Sequence, residues 1–283
     1  MEKCMIWRVI TITYLQVVFL TLVSTTHAMG QDRVAAGTGL IEDVTALPRP
    51  EIMAQHASSP IRLDGVLDEL VWQATPVTNF IQAEPREGQR ATQRTNVWIA
   101  YGDGNLYVAA HLYDSKPDDL VVNDIRKDFS ERAQDVFSVI LDTFHDRRNG
   151  YVFMTNPAGA RGDRQISNEG REVNASWDAI WRVETRRIDD GWTVEMEIPF
   201  KSLRYRPGPN QIWGVQLRRA IRRKNEWAYI TPLPISAGGG PAGIFRVSDA
   251  ATLVGLEVPS GSKNIEIKPY GIAGVNGVVD TNG

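Results

Sequence analysis

Eight tryptophans are the most distinctive chemical feature of this 283-residue sequence. Trp72, Trp192 and Trp213 lie in apolar or alternating segments, so we interpret them as core residues. Trp177 follows a polar Asn-Ala-Ser stretch, and Trp98 lies on an alternating strand segment. An aromatic face with polar neighbours suits a ligand that has one apolar side and a rim of polar groups. Trp177 and Trp98 are therefore the candidate ligand-stacking residues.

Glu195 and Glu197 are the one pair of carboxylates whose spacing invites a catalytic interpretation. Two residues apart on a strand, their backbones lie about 6.6 Å apart, because a strand rises about 3.3 Å per residue. That spacing is close to the carboxylate separation of glycoside hydrolases. Hydrolases place the two carboxylates on opposite sides of the sugar, however, and the alternation predicts that both glutamates lie on a solvated strand face. We therefore predict no catalytic residues.

An Asp-rich stretch offers candidate ligands for calcium. Asp142 and Asp146 are followed by Asn149 within a short polar segment. Calcium takes six to eight oxygen ligands, so these side chains would need distant partners. The alternative is a charged turn in which Asp146 pairs with Arg147 or Arg148.

Several other kinds of site are excluded by composition or by missing motifs. The sequence has no Gly-x-Ser-x-Gly motif and no phosphate-binding loop, and Gly238–Gly243 is predicted to be a flexible loop. The basic cluster at 218–224 is predicted to be a solvated strand end and loop. A net charge of −3 disfavours nucleic acid as a partner. With one cysteine, the chain has neither a disulfide framework nor a cysteine zinc site.

The N-terminus is predicted to be a signal peptide covering residues 1–28. Lys3 and Arg8 precede a mostly apolar run of 15 residues, Val9–Val23, and small residues follow near Ala28. The run is short for a membrane-spanning helix, although an uncleaved anchor is the alternative. Cleavage after Ala28 would remove Cys4, and we expect export to the periplasm or outer membrane.

The elements that would position these residues are mostly strands. Alternating segments separated by Gly, Asp and Asn predict strands at 95–101, 106–113, 135–142, 150–155, 180–185, 191–198, 212–218 and 226–230. Two short helices are predicted at 68–74, where Asp68 could cap, and at 199–203. Many short strands without strand–helix alternation favour an all-β, antiparallel sandwich. Residues 29–58 are predicted to be a linker, and 264–275 alternate like the first strand of another domain.

Five stretches carry a resemblance to a known family: Ile61–Trp72 with its Asp-Gly turn, Asn105–Asp114, Asp135–Asp142, Gly191–Phe200 and Trp213–Arg219. In this order they resemble the carbohydrate-binding module family 9-like domains. Three further stretches, Leu141–Tyr151, Thr155–Ala160 and Ser176–Trp181, look like a bacterial subgroup in which this module precedes an outer-membrane β-barrel. The resemblance implies a sandwich at 59–258 and the start of a barrel at 259–283.

The resemblance also implies a fold and a function. The fold would be a jelly-roll-like β-sandwich that binds an oligo- or polysaccharide without catalysis, in some modules with structural calcium. Because sites of the family combine aromatic residues with Arg, Asn and acidic partners, Arg126 and Asn174 join Trp177 and Trp98 as candidates. Two alternatives remain: a periplasmic plug or interaction domain of a barrel protein without sugar binding, and an O-glycosyl hydrolase.

Overall fold

The computed structural model describes residues 49–206, 208–237 and 240–259. They form two β-sheets of nine and five strands, called here the large sheet and the small sheet. Most neighbouring strands are antiparallel, but residues 51–53 pair with 252–254, and residues 55–56 pair with 100–101, in parallel. Within the described ranges, no helix is long and apolar enough to cross a membrane. The fold is therefore all-β, as predicted, and consistent with a β-sandwich; the jelly-roll detail stays a prediction.

The large sheet runs β1-β14-β12-β6-β7-β8-β9, with β13 joining β12 to β3, and the small sheet runs β10-β11-β5-β4-β2. The strands are β1 (Glu51–Met53), β2 (Gln55–His56), β3 (Ile81–Glu84), β4 (Thr95–Gly102), β5 (Asn105–Tyr113), β6 (Val136–Asp142), β7 (Gly150–Thr155), β8 (Arg161–Ser167), β9 (Glu172–Asn174), β10 (Arg182–Ile188), β11 (Gly191–Pro199), β12 (Asn210–Ile221), β13 (Glu226–Tyr229) and β14 (Ala251–Glu257).

The helices of the described residues are short 3-10 turns. They span Leu70–Gln73, Pro117–Asp119, Glu131–Ala133, Phe200–Ser202, Arg222–Lys224, Ile235–Ala237, Gly240–Phe245 and Val247–Asp249. Two of them match the predicted helices at 68–74 and 199–203. The first begins after Glu69 without a side-chain cap, so Asp68 does not cap it as predicted.

The main core lies between the two sheets and follows the alternation of the strands. On β11, Trp192 and Val194 pack inward, as do Val97 on β4 and Leu217 on β12. Trp192 and Trp213 are buried in this core. Their assignment as core residues is confirmed, because one face of each alternating strand meets the opposite sheet.

The outer face of the small sheet is covered by the segment 61–74. Trp72 packs there against Ala100, Tyr107 and Ala109, with Trp98 beside them. The prediction that Glu195 and Glu197 lie on a solvated face is therefore wrong: both are buried, and Glu195 is only 1% exposed. Alternation identified the polar face correctly, but it could not reveal the segment that covers it.

The outer face of the large sheet is covered by the 3-10 turns at 240–249. Arg218 on β12 contacts Glu131 and Ser138 and donates to the carbonyl oxygen of Pro241. Arg218 is 0% exposed and Arg219 is also buried, so the prediction of a solvated basic cluster is wrong at these two positions. Burial lowers the pKa of Arg219 to about 10. Both arginines can be buried because partners from distant segments accept the hydrogen bonds of their guanidinium groups.

Part of the predicted linker belongs to the sheets. Within residues 29–58, β1 and β2 each add a parallel strand, to β14 and β4 respectively. The sheets thus begin before the predicted boundary at residue 59. The predictions for the signal peptide at 1–28 and the barrel strand at 264–275 lie outside the described residues.

Candidate functional site

Trp177 lies half-buried between β9 and β10, with its ring against aromatic side chains of β7. Its ring centroid is 4.8 Å from that of Tyr151 and 5.9 Å from that of Phe153. The packing explains how a tryptophan in a polar loop is held in one orientation. Since the side chain is only half-buried, part of the indole remains accessible to a ligand.

A row of side chains runs from this aromatic contact to the solvent. Tyr151 on β7 pairs with Gln165 on β8, which in turn pairs with Asn174 on β9. Directly paired residues of antiparallel strands have their side chains on the same face of the sheet. Tyr151 is buried, Gln165 is half-buried and Asn174 is exposed. We call Tyr151, Gln165 and Asn174 the Tyr151 row; it begins at the Trp177 ring and carries a phenol and two carboxamides.

A cavity of about 350 Å³ adjoins the Tyr151 row. Its size lies in the range of small-molecule sites, about 300–1,000 Å³. The lining includes two aromatic side chains and four that can hydrogen-bond, namely Phe144, Tyr151, Asp146, Asn149, Gln165 and Arg204. Aromatic surface combined with carboxamide, carboxylate and guanidinium groups is the chemistry that binds polyhydroxylated ligands.

The structure places Asn174 near Trp177, but it separates Trp98 from both. Trp98 lies on the outer face of the small sheet, where its indole N–H donates to the carbonyl oxygen of Ala74 at 2.8 Å. This contact gives Trp98 a structural role. Asn174 accepts a hydrogen bond from the backbone N–H of Ser176, which shapes the turn before Trp177.

Arg126 is exposed and pairs with Asp124. Its guanidinium donates to both carboxylate oxygens, at 3.0 and 2.8 Å, and holds the pKa of the Asp124 carboxyl at about 2. The next residue, Lys127, reaches Asp178 beside Trp177. The segment containing Arg126 is thus near the candidate site, although the described contacts of Arg126 are local.

Asp142 and Asp146 shape the turn between β6 and β7. Asp142 accepts the backbone N–H groups of Asp146 and Arg147, and Asp146 accepts those of Arg148 and Asn149 together with the Asn149 carboxamide. Burial raises the pKa of Asp142. For Asp146, these hydrogen bonds outweigh burial and lower its pKa. The arrangement is a turn that satisfies its own backbone donors.

These two carboxylates do not by themselves fit a calcium ion. All four of their oxygens already accept N–H groups, whereas calcium needs six to eight oxygen ligands. Across the described ranges, no group of three or more acidic, histidine or cysteine side chains is arranged to hold a metal. Structural calcium stays a prediction.

Glu195 and Glu197 both have structural partners. One Glu195 oxygen accepts the backbone N–H groups of Asp64 and Gly65, at 3.0 and 2.7 Å, and the other accepts the Trp72 indole N–H. Burial raises the pKa of Glu195 to about 7, against the opposing effect of these hydrogen bonds. Glu197 forms a bidentate pair with Arg182. The arrangement therefore ties segments together and engages both carboxylates with partners within the chain.

The sequence pattern missed three residues of the site: Tyr151, Gln165 and Arg204. Tyr151 lies in a predicted strand, where nothing in the sequence distinguishes it from its neighbours. Gln165 lies in a segment with little alternation of apolar and polar residues. Arg204 lines the cavity from the segment after the turn at 200–202. Only the pairing of β7, β8 and β9 brings the first two together, and the sequence alone does not reveal that pairing.

Comparison with known proteins points to one family. The family described as "Carbohydrate family 9 binding domain-like" matches residues 63–225, more than half of the chain. The match includes Trp177, the Tyr151 row and the cavity residue Arg204. Among curated proteins, none matches the sequence.

Three solved structures share the fold at low sequence identity. A family 9 carbohydrate-binding module from Caldicellulosiruptor kristjanssonii, solved with cellotriose, is 18% identical, with a TM-score of 0.51 over 78% of this chain and 100% of its own. Its glucose complex is 17% identical, with a TM-score of 0.51 over 77% and 100%. A Bacteroides uniformis protein, whose description proposes carbohydrate binding, is 10% identical, with a TM-score of 0.58 over 73% and 99%.

Proposed function

Because the chain belongs to the carbohydrate family 9 binding domain-like family, we propose that it binds an oligo- or polysaccharide without catalysing a reaction on it. The complexes of the C. kristjanssonii module with cellotriose and glucose support this proposal. They also suggest the first ligands to test. The low identities mean that the sugar preference of this chain must be measured directly.

The observation that carries the proposal is the half-buried Trp177 ring beside the Tyr151 row. A sugar ring placed against the indole would have its hydroxyl groups within reach of the Gln165 and Asn174 carboxamides. The adjoining cavity offers the Arg204 guanidinium for further hydroxyl groups. Stacking on an aromatic face with hydrogen bonds at the rim is the expected form of saccharide recognition.

Calorimetric titration of the full chain with cellotriose and glucose tests the proposal. We expect binding to one of them, and Trp177→Ala to weaken it about tenfold or more, because the stacking surface is lost. Trp98→Ala is the matched control: it removes a tryptophan from the outer face of the small sheet and should leave the affinity for the sugar unchanged. The proposal fails if neither these sugars nor a wider panel of polysaccharides binds.

We propose no hydrolase activity, because Glu195 and Glu197 are buried and already have partners. Incubation of the chain with cello-oligosaccharides should release no shorter products. Product release that disappears in a Glu195→Gln/Glu197→Gln variant with an intact fold would support the hydrolase alternative.

We also propose export, with the sandwich in the periplasm or attached to the outer membrane, based on residues 1–28 and on the subgroup resemblance. N-terminal sequencing of the chain recovered from a bacterial periplasm should begin at residue 29. The interaction-domain alternative depends on residues 264–275, which lie outside the described ranges, and it stays a prediction.

A further inference from the structure

The Lys127 ammonium group lies among three carboxylates. Its nitrogen is 2.9 Å from an oxygen of Asp128, 3.0 Å from Asp163 and 3.4 Å from Asp178. Asp163 is 0% exposed, whereas the Lys127 side chain is 37% exposed. The ammonium therefore supplies positive charge from the surface to a buried carboxylate. Hydrogen bonds and charge from Asp128 and Asp163 raise the pKa of Lys127, although burial opposes this shift.

The second oxygen of Asp163 connects this cluster to the loop that carries Trp177. It accepts the backbone N–H of Ala179 at 2.5 Å. Lys127 also contacts Asp178 directly. Asp178 and Ala179 both lie within two positions of Trp177. Asp163 pairs with Phe153 on β7, whose ring contacts Trp177. The loop is thus attached to β8 on the same side as its aromatic contacts.

We propose that Lys127 is a positioning residue for saccharide binding: its ammonium fixes Asp163 and Asp178, and through them the orientation of the Trp177 ring. This inference rests on the proposed function. A buried carboxylate that loses its cation either takes up a proton or draws in water. Either change would weaken the hydrogen bond to Ala179 and loosen the loop, so the ring would no longer present one fixed face to the sugar.

Substitution of Lys127 tests the proposal by its effect on affinity. In Lys127→Met, which keeps the aliphatic stem, we expect the dissociation constant for cellotriose, or for the best ligand found, to rise about tenfold. Lys127→Arg retains the positive charge and should restore most of the affinity. Lys116→Met is the matched control, because Lys116 is an exposed, ion-paired lysine away from Trp177.

A spectroscopic measurement separates positioning from a general loss of stability. With 5-fluorotryptophan incorporated in the full chain, Trp177→Phe identifies the ¹⁹F resonance of Trp177. Lys127→Met should shift or broaden this resonance and leave that of buried Trp213 unchanged, whereas Lys116→Met should change neither. An unchanged Trp177 resonance, or an unchanged affinity, in a folded Lys127→Met variant would overturn the proposal.

The two hypotheses fail in different ways. If the wild-type chain binds no saccharide, the proposed function fails. The ¹⁹F resonance still decides whether Lys127 positions Trp177. If the wild-type chain binds and the Lys127→Met variant binds equally well, only the positioning role is contradicted.

Discussion

Glu195 ties the segment 61–74 to the small sheet. Its carboxylate accepts three N–H groups, two from the Asp64–Gly65 turn and one from Trp72. Thr193, two residues earlier on β11, donates to the carbonyl oxygen of Gly65 at 2.6 Å. Gly65 has a φ of +77°, a conformation that favours glycine, which explains the glycine in this turn.

Replacing Glu195 by Gln should destabilise the chain in a pH-dependent way. At pH 5 the protonated Glu195 carboxyl still has two oxygens that can accept N–H groups, whereas a carboxamide has one and would place its NH₂ group against an N–H donor. We therefore expect a loss of about 1–3 kcal/mol in the free energy of unfolding at pH 5. Because the folded-state pKa of Glu195 is raised to about 7, the native state binds the extra proton, and wild-type stability falls as the pH rises from about 4.5 to 7.

Urea unfolding of both proteins between pH 5 and pH 8 measures this effect. The difference in the free energy of unfolding between the wild type and Glu195→Gln should narrow as the pH rises. Only the wild type has a carboxyl at position 195 that loses its proton in this pH range, so only its stability falls for this reason. A difference that stays constant or widens would contradict a raised pKa at this position.

Single residues were predicted well where local sequence decides their environment. Trp192 and Trp213 lie in alternating strands and are in the core. The choice of Trp177 as a ligand contact, made because its loop is polar, stays a prediction. The predictions for Glu195 and Arg218 were wrong, because their environments depend on segments distant in sequence. Periodicity predicts which face a residue occupies, but not what covers that face.

At the scale of elements, the outer face of the large sheet is stabilised by a buried ion pair. Arg218 on β12 contacts Glu131, which lies in the turn at 131–133, and Arg164 on β8 approaches the same carboxylate at 3.7 Å. The Arg218 guanidinium also lies over the Trp227 ring, 5.1 Å from its centroid. The pair therefore connects β12, β8 and the turn beneath the cover at 240–249.

Glu131→Gln should lower the free energy of unfolding by about 3 kcal/mol, because it leaves the fully buried Arg218 without its counter-charge. Urea denaturation measures the change. Glu184→Gln, which alters an exposed glutamate on β10, should change stability by less than about 0.5 kcal/mol. Equal effects of the two substitutions would show that the Arg218 pair is not the main contribution of Glu131.

Hairpins and central strands were predicted closely, because their signals are local. The predicted strands at 95–101 and 106–113, around the Asp103–Gly104 turn, have nearly the same bounds as β4 and β5. β8 and β9 were missed, since Arg161–Ser167 has little apolar alternation and β9 spans three exposed residues. Those strands carry Gln165 and Asn174, so the site depends on elements with the weakest sequence signal.

At the scale of the whole molecule, cationic side chains neutralise buried carboxylates. Lys127 forms an ion pair with Asp163, and Arg218 forms one with Glu131. Asp142 and Asp146 are satisfied by N–H groups of their own turn.

Because the turn between β6 and β7 satisfies its own carboxylates, chelation of metal should remove no stability through this turn. We expect any calcium-dependent change in the melting temperature to be the same, within about 1 °C, in the wild type and in Asp146→Asn, because the oxygens of Asp142 and Asp146 already accept hydrogen bonds. Differential scanning calorimetry measures it. A calcium-dependent rise that is lost in Asp146→Asn would show that calcium binds in the turn between β6 and β7.

The central claim is that a saccharide binds on the Trp177 ring beside the Tyr151 row. A crystal structure of the chain with cellotriose, or with the best ligand found by titration, tests it most directly. The account predicts a sugar ring against Trp177, with hydroxyl groups hydrogen-bonded to Gln165 or Asn174. A sugar bound elsewhere, with Trp177 free of contacts, would contradict it.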